Sequence, residues 1–429
     1  MEVLDVRPAR IWGRFRPPGD KSCSHRAVLV GALGRGTTVA RNFLQAEDTL
    51  RSLACVRAVG VPVELEGSVL RVHGRQRWSS PHEVLDAGNS GTTLRLLCGL
   101  LSGQPVEAVL DGDASLRRRP MDRVVEPLRR MGAQVDAREG RFAPVRVRGG
   151  RLVAARHALS VASAQVKGAV LLAGLYAEGT TAVVEPSQSR DHTERLLRAM
   201  GVPVRTRTLE EGMVEVSVVG PAVPEAVQVQ VPGDFSSAAF FVAAAAAQPG
   251  SELVVEGVGL NPTRTGLLEV LQEMGSRVGV EELQELAGEP VGTLRVRGGP
   301  LRGVRVRGSL IPRLIDEIPA LAVAAAAAEG ETVIQDAGEL RVKESDRIRT
   351  VVAGLRAVGV QAEELPDGLV VRGGAIRGGC VDAEGDHRIA MAFAVAGLLS
   401  RQGVRVLGAH SVAVSFPDFG RWLRLLASP

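Results

Sequence analysis

Lysine, aromatic side chains and long apolar stretches are all scarce in this sequence of 429 residues. Aromatic residues make up 3% of it, and no run of basic residues reaches five, so the stacking surfaces and basic tails of nucleic-acid-binding proteins are missing. The 52 basic and 48 acidic residues alternate along the chain and leave a formal charge of only +4. We therefore expect no nucleic-acid partner.

The longest apolar runs are rich in alanine and too short to cross a membrane. They span residues 240–247 and 318–328, whereas a bilayer needs roughly 20 apolar residues. The N-terminal sequence MEVLDVRPAR also lacks the apolar core of a signal peptide. These absences predict a cytoplasmic protein without a membrane partner.

Cysteines and histidines do not follow the spacing of a metal site. The four cysteines, at positions 23, 55, 98 and 380, contain no CxxC pair, which favours reduced and mostly buried thiols. The string GDKS lacks the spacing of a nucleotide-binding P-loop, and GALGRG does not fit the dinucleotide-binding pattern GxGxxG. We expect neither a cofactor nor a metal.

Only three of the 52 basic residues are lysines, namely Lys21, Lys167 and Lys343. In a chain that otherwise uses arginine, a retained lysine indicates a position that needs a compact ammonium group with a pKa that its surroundings can shift. Lys21 and Lys343 lie in segments that also carry other candidate site residues. For Lys167, in QVKGAV, we expect a solvated position on a helix.

One pattern recurs six times along the chain. A turn of small or acidic residues precedes an alanine- and leucine-rich helix, then a short strand, a second helix that ends at glycine, and a strand of the form RVRG. The first helices are predicted to begin near residues 22, 91, 163, 235, 316 and 386, about 70 to 80 residues apart. The repeat predicts an α/β fold of six βαβαββ units.

We expect these six units to form two lobes of three, with the active site in the cleft between the lobes. The predicted N-terminal lobe spans residues 17–232. The predicted C-terminal lobe spans residues 233–429 together with residues 1–16, whose strand is expected to pack there. Proline-rich stretches near residues 17–18 and 221–232 are the candidates for the hinge between the two lobes.

Each unit opens with a helix N-terminus, where free N–H groups and the positive end of the helix dipole bind phosphate and carboxylate groups. Arginine suits bidentate contacts with such oxyanions. Basic residues lie in or just after these openings, or in the tight loops RRRPM and VKESDR: Lys21, Arg26, Arg119, Lys343, Arg347 and Arg388. The sequence therefore predicts a ligand that carries several oxyanion groups.

Two carboxylates, Asp316 and Glu344, are candidates for acid or base catalysis. Asp316, with Glu317, could instead cap the fifth repeat's first helix. Glu344 could instead belong to a surface charge cluster with Lys343 and Arg347. Neighbouring cations and burial shift a carboxyl pKa in opposite directions, so the sequence leaves both interpretations open.

Eleven stretches together resemble the family of 3-phosphoshikimate 1-carboxyvinyltransferases, also called EPSP synthases. In chain order they are PPGDKSCSHRA, GNSGTTLRL, GDASLRRRPM, ASAQVKGAVLLAG, RDHTERLL, VPGDFSSAAF, NPTRTG, IDEIPALAVAA, ELRVKESDRI, DHRIAMAF and SFPDF. The resemblance implies two lobes of three βαβαββ units. It also implies transfer of the enolpyruvyl group of phosphoenolpyruvate to the 5-hydroxyl of shikimate 3-phosphate, with release of phosphate through a tetrahedral, non-covalent intermediate.

The resemblance also implies a role for each matching residue. Shikimate 3-phosphate is expected to contact Lys21, Ser22, Arg26, Ser163, Ala164, Gln165, Arg190, Asp316 and Lys343. Phosphoenolpyruvate is expected to contact Lys21, Asn89, Gly91, Thr92, Arg119, Gln165, Arg347 and Arg388. The expected catalytic residues are Asp316 as the base at the 5-hydroxyl, Glu344 as the proton donor to the methylene carbon, and Lys21. Gly91, without a side chain, leaves room for the inhibitor glyphosate, and we expect a monomer.

Two alternatives stay open. One is the related transferase that acts on UDP-N-acetylglucosamine, but its reactive cysteine is missing from the loop DGDASLRRRPM, and the first helix opens with GDKS rather than a Gly-Ala-Lys-Asn type of string. The other is a non-catalytic anion-binding protein on the same fold, which would not need Asp316 and Glu344 near a lysine.

Overall fold

The computed structural model describes residues 2–428, which form two compact units. Unit I consists of residues 2–18, 233–284 and 290–428. Unit II consists of Gly19–Pro232 and Glu285–Glu289. The division into lobes of residues 17–232 and of residues 1–16 with 233–429 stays a prediction.

The helices alternate with strands along the whole chain. They are α1 (Lys21–Leu29), α2 (Glu47–Ala58), α3 (Gly91–Ser102), α4 (Asp122–Arg130), α5 (Ala164–Gly174), α6 (His192–Ala199), α7 (Phe235–Ala247), α8 (Gly266–Glu273), α9 (Ile311–Leu314), α10 (Ile318–Ala326), α11 (Arg347–Ala357), α12 (His387–Leu399) and α13 (Phe419–Leu426).

The strands are short and form six small sheets. They are β1 (Val3–Val6), β2 (Arg10–Phe15), β3 (Thr37–Arg41), β4 (Val63–Glu66), β5 (Val69–His73), β6 (Leu85–Asp86), β7 (Glu107–Asp111), β8 (Gln134–Arg138), β9 (Phe142–Arg148), β10 (Arg156–Ala158), β11 (Gly179–Glu185), β12 (Val204–Thr208), β13 (Val214–Gly220), β14 (Gln228–Gln230), β15 (Glu252–Gly259), β16 (Arg277–Leu286), β17 (Glu289–Arg297), β18 (Arg305–Val306), β19 (Glu331–Ile334), β20 (Gln361–Leu365), β21 (Gly368–Arg372), β22 (Gly379–Asp382), β23 (Val404–Leu407) and β24 (Ala427–Ser428).

The sheets repeat one strand order, which confirms the six-unit α/β fold. Unit II contains the sheets β14-β3-β5-β4, β6-β7-β9-β8 and β10-β11-β13-β12. In each of them the first pair is parallel and the other two pairs are antiparallel. Unit I repeats this order in β18-β19-β21-β20 and in β2-β15-β17-β16, to which β24 adds an edge strand. Its last sheet is β22-β23-β1, so the N-terminal strand pairs with β23.

The repeat places the helix ends close to where the sequence predicts them. Five of the six first helices begin within one residue of the predicted position, and α10 begins two residues late, at Ile318. Side-chain caps fix five of these starts by accepting a hydrogen bond from a backbone N–H near the start of the helix: Asp20, Ser90, Ser163, Asp234 and Asp386. The five predicted second-helix stops are also confirmed, because the glycine after each has a positive φ: Gly60, Gly132, Gly201, Gly275 and Gly359.

The first helices of the repeats form the cores. Every residue of α7 and of α10 is buried, as are nearly all of α12, as expected of helices that are apolar on all sides. In unit II, α3 and α5 pack closely at Gly99, where a Cβ atom would lie 2.1 Å from the carbonyl oxygen of Ala169. This close packing sets the N-termini of α3 and α5 side by side. Within residues 2–428, the structure contains no helix with the length and apolar character of a membrane span.

Candidate active site

In unit I, charged side chains surround Arg347, the first residue of α11. Its guanidinium is 1% exposed, with Nη2 lying 2.5 Å from Oε2 of Glu344 and Nη1 lying 3.2 Å from Oδ1 of Asp316. Its Nε lies 2.8 Å from Oδ2 of Asp386. Burial alone would lower the pKa of Arg347, but these carboxylates outweigh burial and raise the pKa above its ordinary value. The guanidinium therefore stays charged and holds three carboxylates in place.

Asp316 lies between α9 and α10 and is 15% exposed. Its Oδ1 is 3.8 Å from Nζ of Lys343, and its Oδ2 is 3.6 Å from Nη2 of Arg388. Arg388 also donates a hydrogen bond of 3.2 Å to the Asp316 carbonyl. The N-cap position of α10 belongs to Glu317, so the interpretation of Asp316 as a helix cap is wrong. Asp316 instead faces three cations.

Lys343 and Glu344 precede α11 and reach the same cluster. Protein atoms around the ammonium of Lys343 lower its pKa, and Arg347 acts in the same direction, while Asp316 opposes them. The scarcity of lysine predicted such a shifted pKa at a position where lysine is retained. The charge pair of Glu344 with Arg347 that the alternative interpretation expected is present, but the guanidinium of Arg347 is buried rather than on the surface.

In unit II, Gln165 joins the N-termini of α3 and α5. Its amide nitrogen donates to Oγ1 of Thr92 at 3.0 Å, and its carbonyl oxygen accepts from Nη1 of Arg95 at 2.7 Å. Two helix N-termini and an arginine thus meet at one place. Such an arrangement favours an anion, because backbone N–H groups and helix dipoles add to the guanidinium charge.

Gly91, the first residue of α3, lies between two arginines. A Cβ atom there would lie 2.5 Å from Nη1 of Arg95 and 3.4 Å from Nη1 of Arg119. Arg119 is held by Asn89, whose Oδ1 accepts its Nη2 at 2.5 Å, while Nδ2 of Asn89 donates to Asp113 at 2.6 Å. The absence of a side chain at Gly91 keeps both guanidinium groups close to the helix N-terminus.

Helix α1 carries three further predicted site residues. Nζ of Lys21 lies 3.0 Å from Oδ2 of Asp48 on α2. The carbonyl of Ser22 accepts from Nη1 of Arg26 at 3.0 Å, and Nε of Arg26 donates to Oγ1 of Thr193 on α6 at 2.7 Å. The side chain of Arg26 is therefore buried and attached to the start of α6.

The last three predicted residues of unit II lie at the starts of α5 and α6. Ser163 is the N-cap of α5, and its backbone N–H donates to Oε1 of Glu185 at 2.9 Å. Ala164 is the first residue of α5, and Arg190 lies two residues before α6. Both helix starts thus carry residues expected to contact shikimate 3-phosphate.

The expectation that Lys167 is solvated is wrong. Its side chain is 1% exposed, and its ammonium lies 2.9 Å from Glu185 and 2.7 Å from Glu194. An isolated buried ammonium is costly, which is why the sequence favoured a solvated position. The two carboxylates come from other elements, β11 and α6, and compensate the charge.

One group of side chains has the residue types of a metal site. Ligand atoms of Asp20, Cys23 and His192 lie within 4.8 Å of one another, and all three residues are buried. Oδ1 of Asp20 already accepts the N–H of Cys23 at 2.8 Å, and Nδ1 of His192 lies 2.8 Å from Glu289 at a hydrogen-bonding distance. These contacts account for the group as a hydrogen-bonded network, and the expectation of no metal stays a prediction.

Sequence reasoning gave no role to several residues that the structure brings against predicted site residues. They include Asp48 beside Lys21, Arg95 beside Gln165, and Asp386 beside Arg347. Arg95 and Asp386 lie inside stretches that carry the family resemblance, in GNSGTTLRL and DHRIAMAF. Their place in these stretches could have pointed to Arg95 and Asp386. No feature of the sequence pointed to Asp48.

Comparisons with known proteins agree along the whole chain. A family model described as EPSP synthase (3-phosphoshikimate 1-carboxyvinyltransferase) matches residues 6–423. A 3-phosphoshikimate 1-carboxyvinyltransferase from Desulfitobacterium hafniense is 51% identical over 414 residues, covering 96% of this chain and 94% of the relative. One from Pelotomaculum thermopropionicum is 54% identical over 413 residues, covering 95% and 94%. A solved EPSP synthase structure from Acinetobacter baumannii has a TM-score of 0.87 and 42% identity, covering 100% of this chain and 98% of that one.

Proposed function

The chain belongs to the EPSP synthase family, and we propose how its residues carry out the transfer of the enolpyruvyl group. The protein is a transferase that moves the enolpyruvyl group of phosphoenolpyruvate to the 5-hydroxyl of shikimate 3-phosphate and releases inorganic phosphate. The observation that carries our assignment of roles is the cluster around Arg347. There two accessible carboxylates, Asp316 and Glu344, lie among three cations.

We assign the proton transfers to these two carboxylates. Asp316 removes the proton of the 5-hydroxyl as the oxygen forms a bond to C2 of phosphoenolpyruvate. Glu344 donates a proton to the methylene carbon, which completes the tetrahedral intermediate. In the second step the same carbon returns a proton to Glu344 while the C2–O bond to phosphate breaks, and the proton held by Asp316 leaves with the phosphate, which restores both carboxylates. Each carboxylate is therefore needed for turnover.

The cations supply the charge compensation that these steps require. Arg347 and Arg388 in unit I, and Arg119 in unit II, are proposed contacts of phosphoenolpyruvate, because arginine binds carboxylate and phosphate in a bidentate manner. The proposed contacts of the same substrate at the start of α3 are Asn89, Gly91 and Thr92. Lys21 and Gln165 are proposed to contact both substrates.

The proposed contacts of shikimate 3-phosphate in unit II are Ser22, Arg26, Ser163, Ala164 and Arg190. All except Arg26 lie at the starts of α1, α5 and α6, where N–H groups are free of helical hydrogen bonds, and Arg26 lies in the last turn of α1. Asp316 and Lys343 are the proposed contacts in unit I. We also propose that the protein is a monomer in the cytoplasm. Light scattering would check the oligomeric state, and cell fractionation would check the location.

The test is phosphate release from phosphoenolpyruvate by the purified protein. We expect release with shikimate 3-phosphate and none with UDP-N-acetylglucosamine. The variants Asp316→Ala and Glu344→Ala should still bind shikimate 3-phosphate in a calorimetric titration but turn over about 100-fold more slowly or worse. Phosphate release only with UDP-N-acetylglucosamine would overturn the assignment of shikimate 3-phosphate as the substrate. Full activity in both variants would overturn the roles assigned to the two carboxylates.

A further inference from the structure

Lys167 is a buried charge to which the proposed reaction gives no part. Its Nζ lies 2.9 Å from Oε2 of Glu185 and 2.7 Å from Oε1 of Glu194, and it donates to the carbonyl of Ser189 at 3.3 Å. Burial, the largest single effect, lowers the pKa of Lys167, but the two carboxylates together raise it above its ordinary value. The ammonium therefore remains charged inside unit II.

Glu185, at the end of β11, attaches two loops to this lysine. Its Oε1 accepts the backbone N–H of Ser163 at 2.9 Å and the hydroxyl of Ser189 at 2.6 Å. Its Oε2 accepts the backbone N–H of Ser189 at 3.3 Å. The loop before α5 and the loop before α6 thus share one fully buried carboxylate.

Glu194 attaches the start of α6 to the same lysine. It lies in the first turn of α6, directly after Thr193, whose hydroxyl accepts from Nε of Arg26 at 2.7 Å. Three anchored points therefore lie at or next to residues proposed to bind shikimate 3-phosphate. Ser163 is anchored directly, Arg190 follows Ser189, and Arg26 is held by Thr193.

We propose that Lys167, through Glu185 and Glu194, is a positioning residue that holds the shikimate-3-phosphate contacts Ser163, Arg190 and Arg26 in their binding geometry. This inference rests on the proposed function. The physical reason is that removing the ammonium leaves two buried carboxylates without their shared counter-charge, so they move apart or draw in water. Displacements of about 1 Å at binding groups are enough to change rates by up to about 100-fold.

The test is the variant Lys167→Met, which keeps the length of the side chain and removes its charge. We expect the KM and the calorimetric Kd for shikimate 3-phosphate to rise between about 10-fold and about 100-fold. The KM for phosphoenolpyruvate at saturating shikimate 3-phosphate should change little, because none of the three anchored residues is among the proposed contacts of phosphoenolpyruvate. A merely structural lysine would lower the melting temperature without this difference between substrates.

Two further variants keep the test decisive. Leu171→Ala, on the same helix, shortens a fully buried apolar side chain and leaves the lysine and both carboxylates in place, so it should lower stability and leave the KM for shikimate 3-phosphate unchanged. If Lys167→Met does not fold, Glu185→Gln keeps the volume, weakens the same anchors and should raise that KM as well.

The outcomes separate the inference from the function on which it rests. A wild-type protein that releases no phosphate with shikimate 3-phosphate would overturn both. A wild-type protein that turns over normally, with the KM for shikimate 3-phosphate unchanged in Lys167→Met or in its replacement Glu185→Gln, would overturn only the positioning role. If Leu171→Ala raised the KM for shikimate 3-phosphate as much as Lys167→Met does, the positioning role of Lys167 would also be overturned.

Discussion

Glu344 and Arg347 lie three residues apart, with Oε2 of Glu344 2.5 Å from Nη2 of Arg347. The arginine is 1% exposed and the carboxylate 17%, so the anionic partner is the more accessible of the two. A phosphate or carboxylate that binds this guanidinium competes with Glu344 for its N–H groups. We therefore expect phosphoenolpyruvate binding to release Glu344 for proton transfer.

Replacing Glu344 by glutamine tests this expectation. Glu344→Gln keeps the size of the side chain and an oxygen that accepts from Arg347, but it removes the transferable proton. We expect kcat to fall about 100-fold or more, with little change in the Kd for shikimate 3-phosphate. Initial rates of phosphate release measure the first quantity and calorimetry the second. Glu363→Gln, at an exposed position of β20, is the control and should keep full activity.

Adding one methyl group at position 91 should weaken phosphoenolpyruvate binding. In Gly91→Ala the new Cβ lies 2.5 Å from Nη1 of Arg95, so that side chain must move and disturb its bond to Gln165. We expect the KM for phosphoenolpyruvate to rise by up to about tenfold. The melting temperature should not fall, because alanine favours a helix more than glycine does. Gly150→Ala, where no atom lies within 4 Å of the new Cβ, is the matched control; an unchanged KM in Gly91→Ala contradicts the prediction.

Buried His25 should make folding sensitive to mild acid. Burial, followed by the charges of Lys21 and Arg26, holds its pKa well below the ordinary value of 6.5. Below pH 6.5 the unfolded chain takes up a proton that the folded chain does not, so stability is fully present above that pH and lost below it. One such group contributes a slope of at most about 1.4 kcal/mol per pH unit.

Urea unfolding between pH 7 and pH 5 measures this contribution. The variant His25→Gln should lose the part of the acid sensitivity that one histidine supplies, whereas His410→Gln, at an exposed position, should behave like the wild type. His157, whose pKa is also lowered mainly by burial, remains in all three proteins and does not affect the comparison. Identical pH slopes in wild type and His25→Gln would show that His25 is protonated in the folded state.

The aromatic cluster of unit I should contribute strongly to stability. The ring of Phe241 lies with its centroid 5.2 Å from that of Phe15 and 5.3 Å from that of Phe419. Phe241→Ala should lower the free energy of unfolding by about 3 to 5 kcal/mol, because the cavity it leaves is enclosed by the other rings. Trp12→Ala, at a side chain that is 55% exposed, should cost far less. Denaturant midpoints compare the two variants, and equal losses would contradict the packing argument.

Local patterns made much of the fold predictable. The turn before each first helix and the glycine after each second helix are signals carried by neighbouring residues, so helix starts were placed within two residues. The largest difference is at α10, which begins two residues after the predicted position, at Ile318, because Pro319 suits the first turn of a helix. The helix openings and tight loops pointed to the basic residues and the two carboxylates, the family resemblance supplied the other site residues and each residue's role, and the structure brings the site residues of unit I together around Arg347.

The sequence by itself determined the six-fold repeat, the α/β class and the family. Tertiary structure alone decided which charges are buried and which groups compensate them. Lys167 meets Glu185 and Glu194 from other elements, and Arg347 meets Asp386 from 39 residues further along the chain. A buried ion is tolerated only where its partners converge in space. That convergence depends on the packing of whole repeats, which no local pattern records.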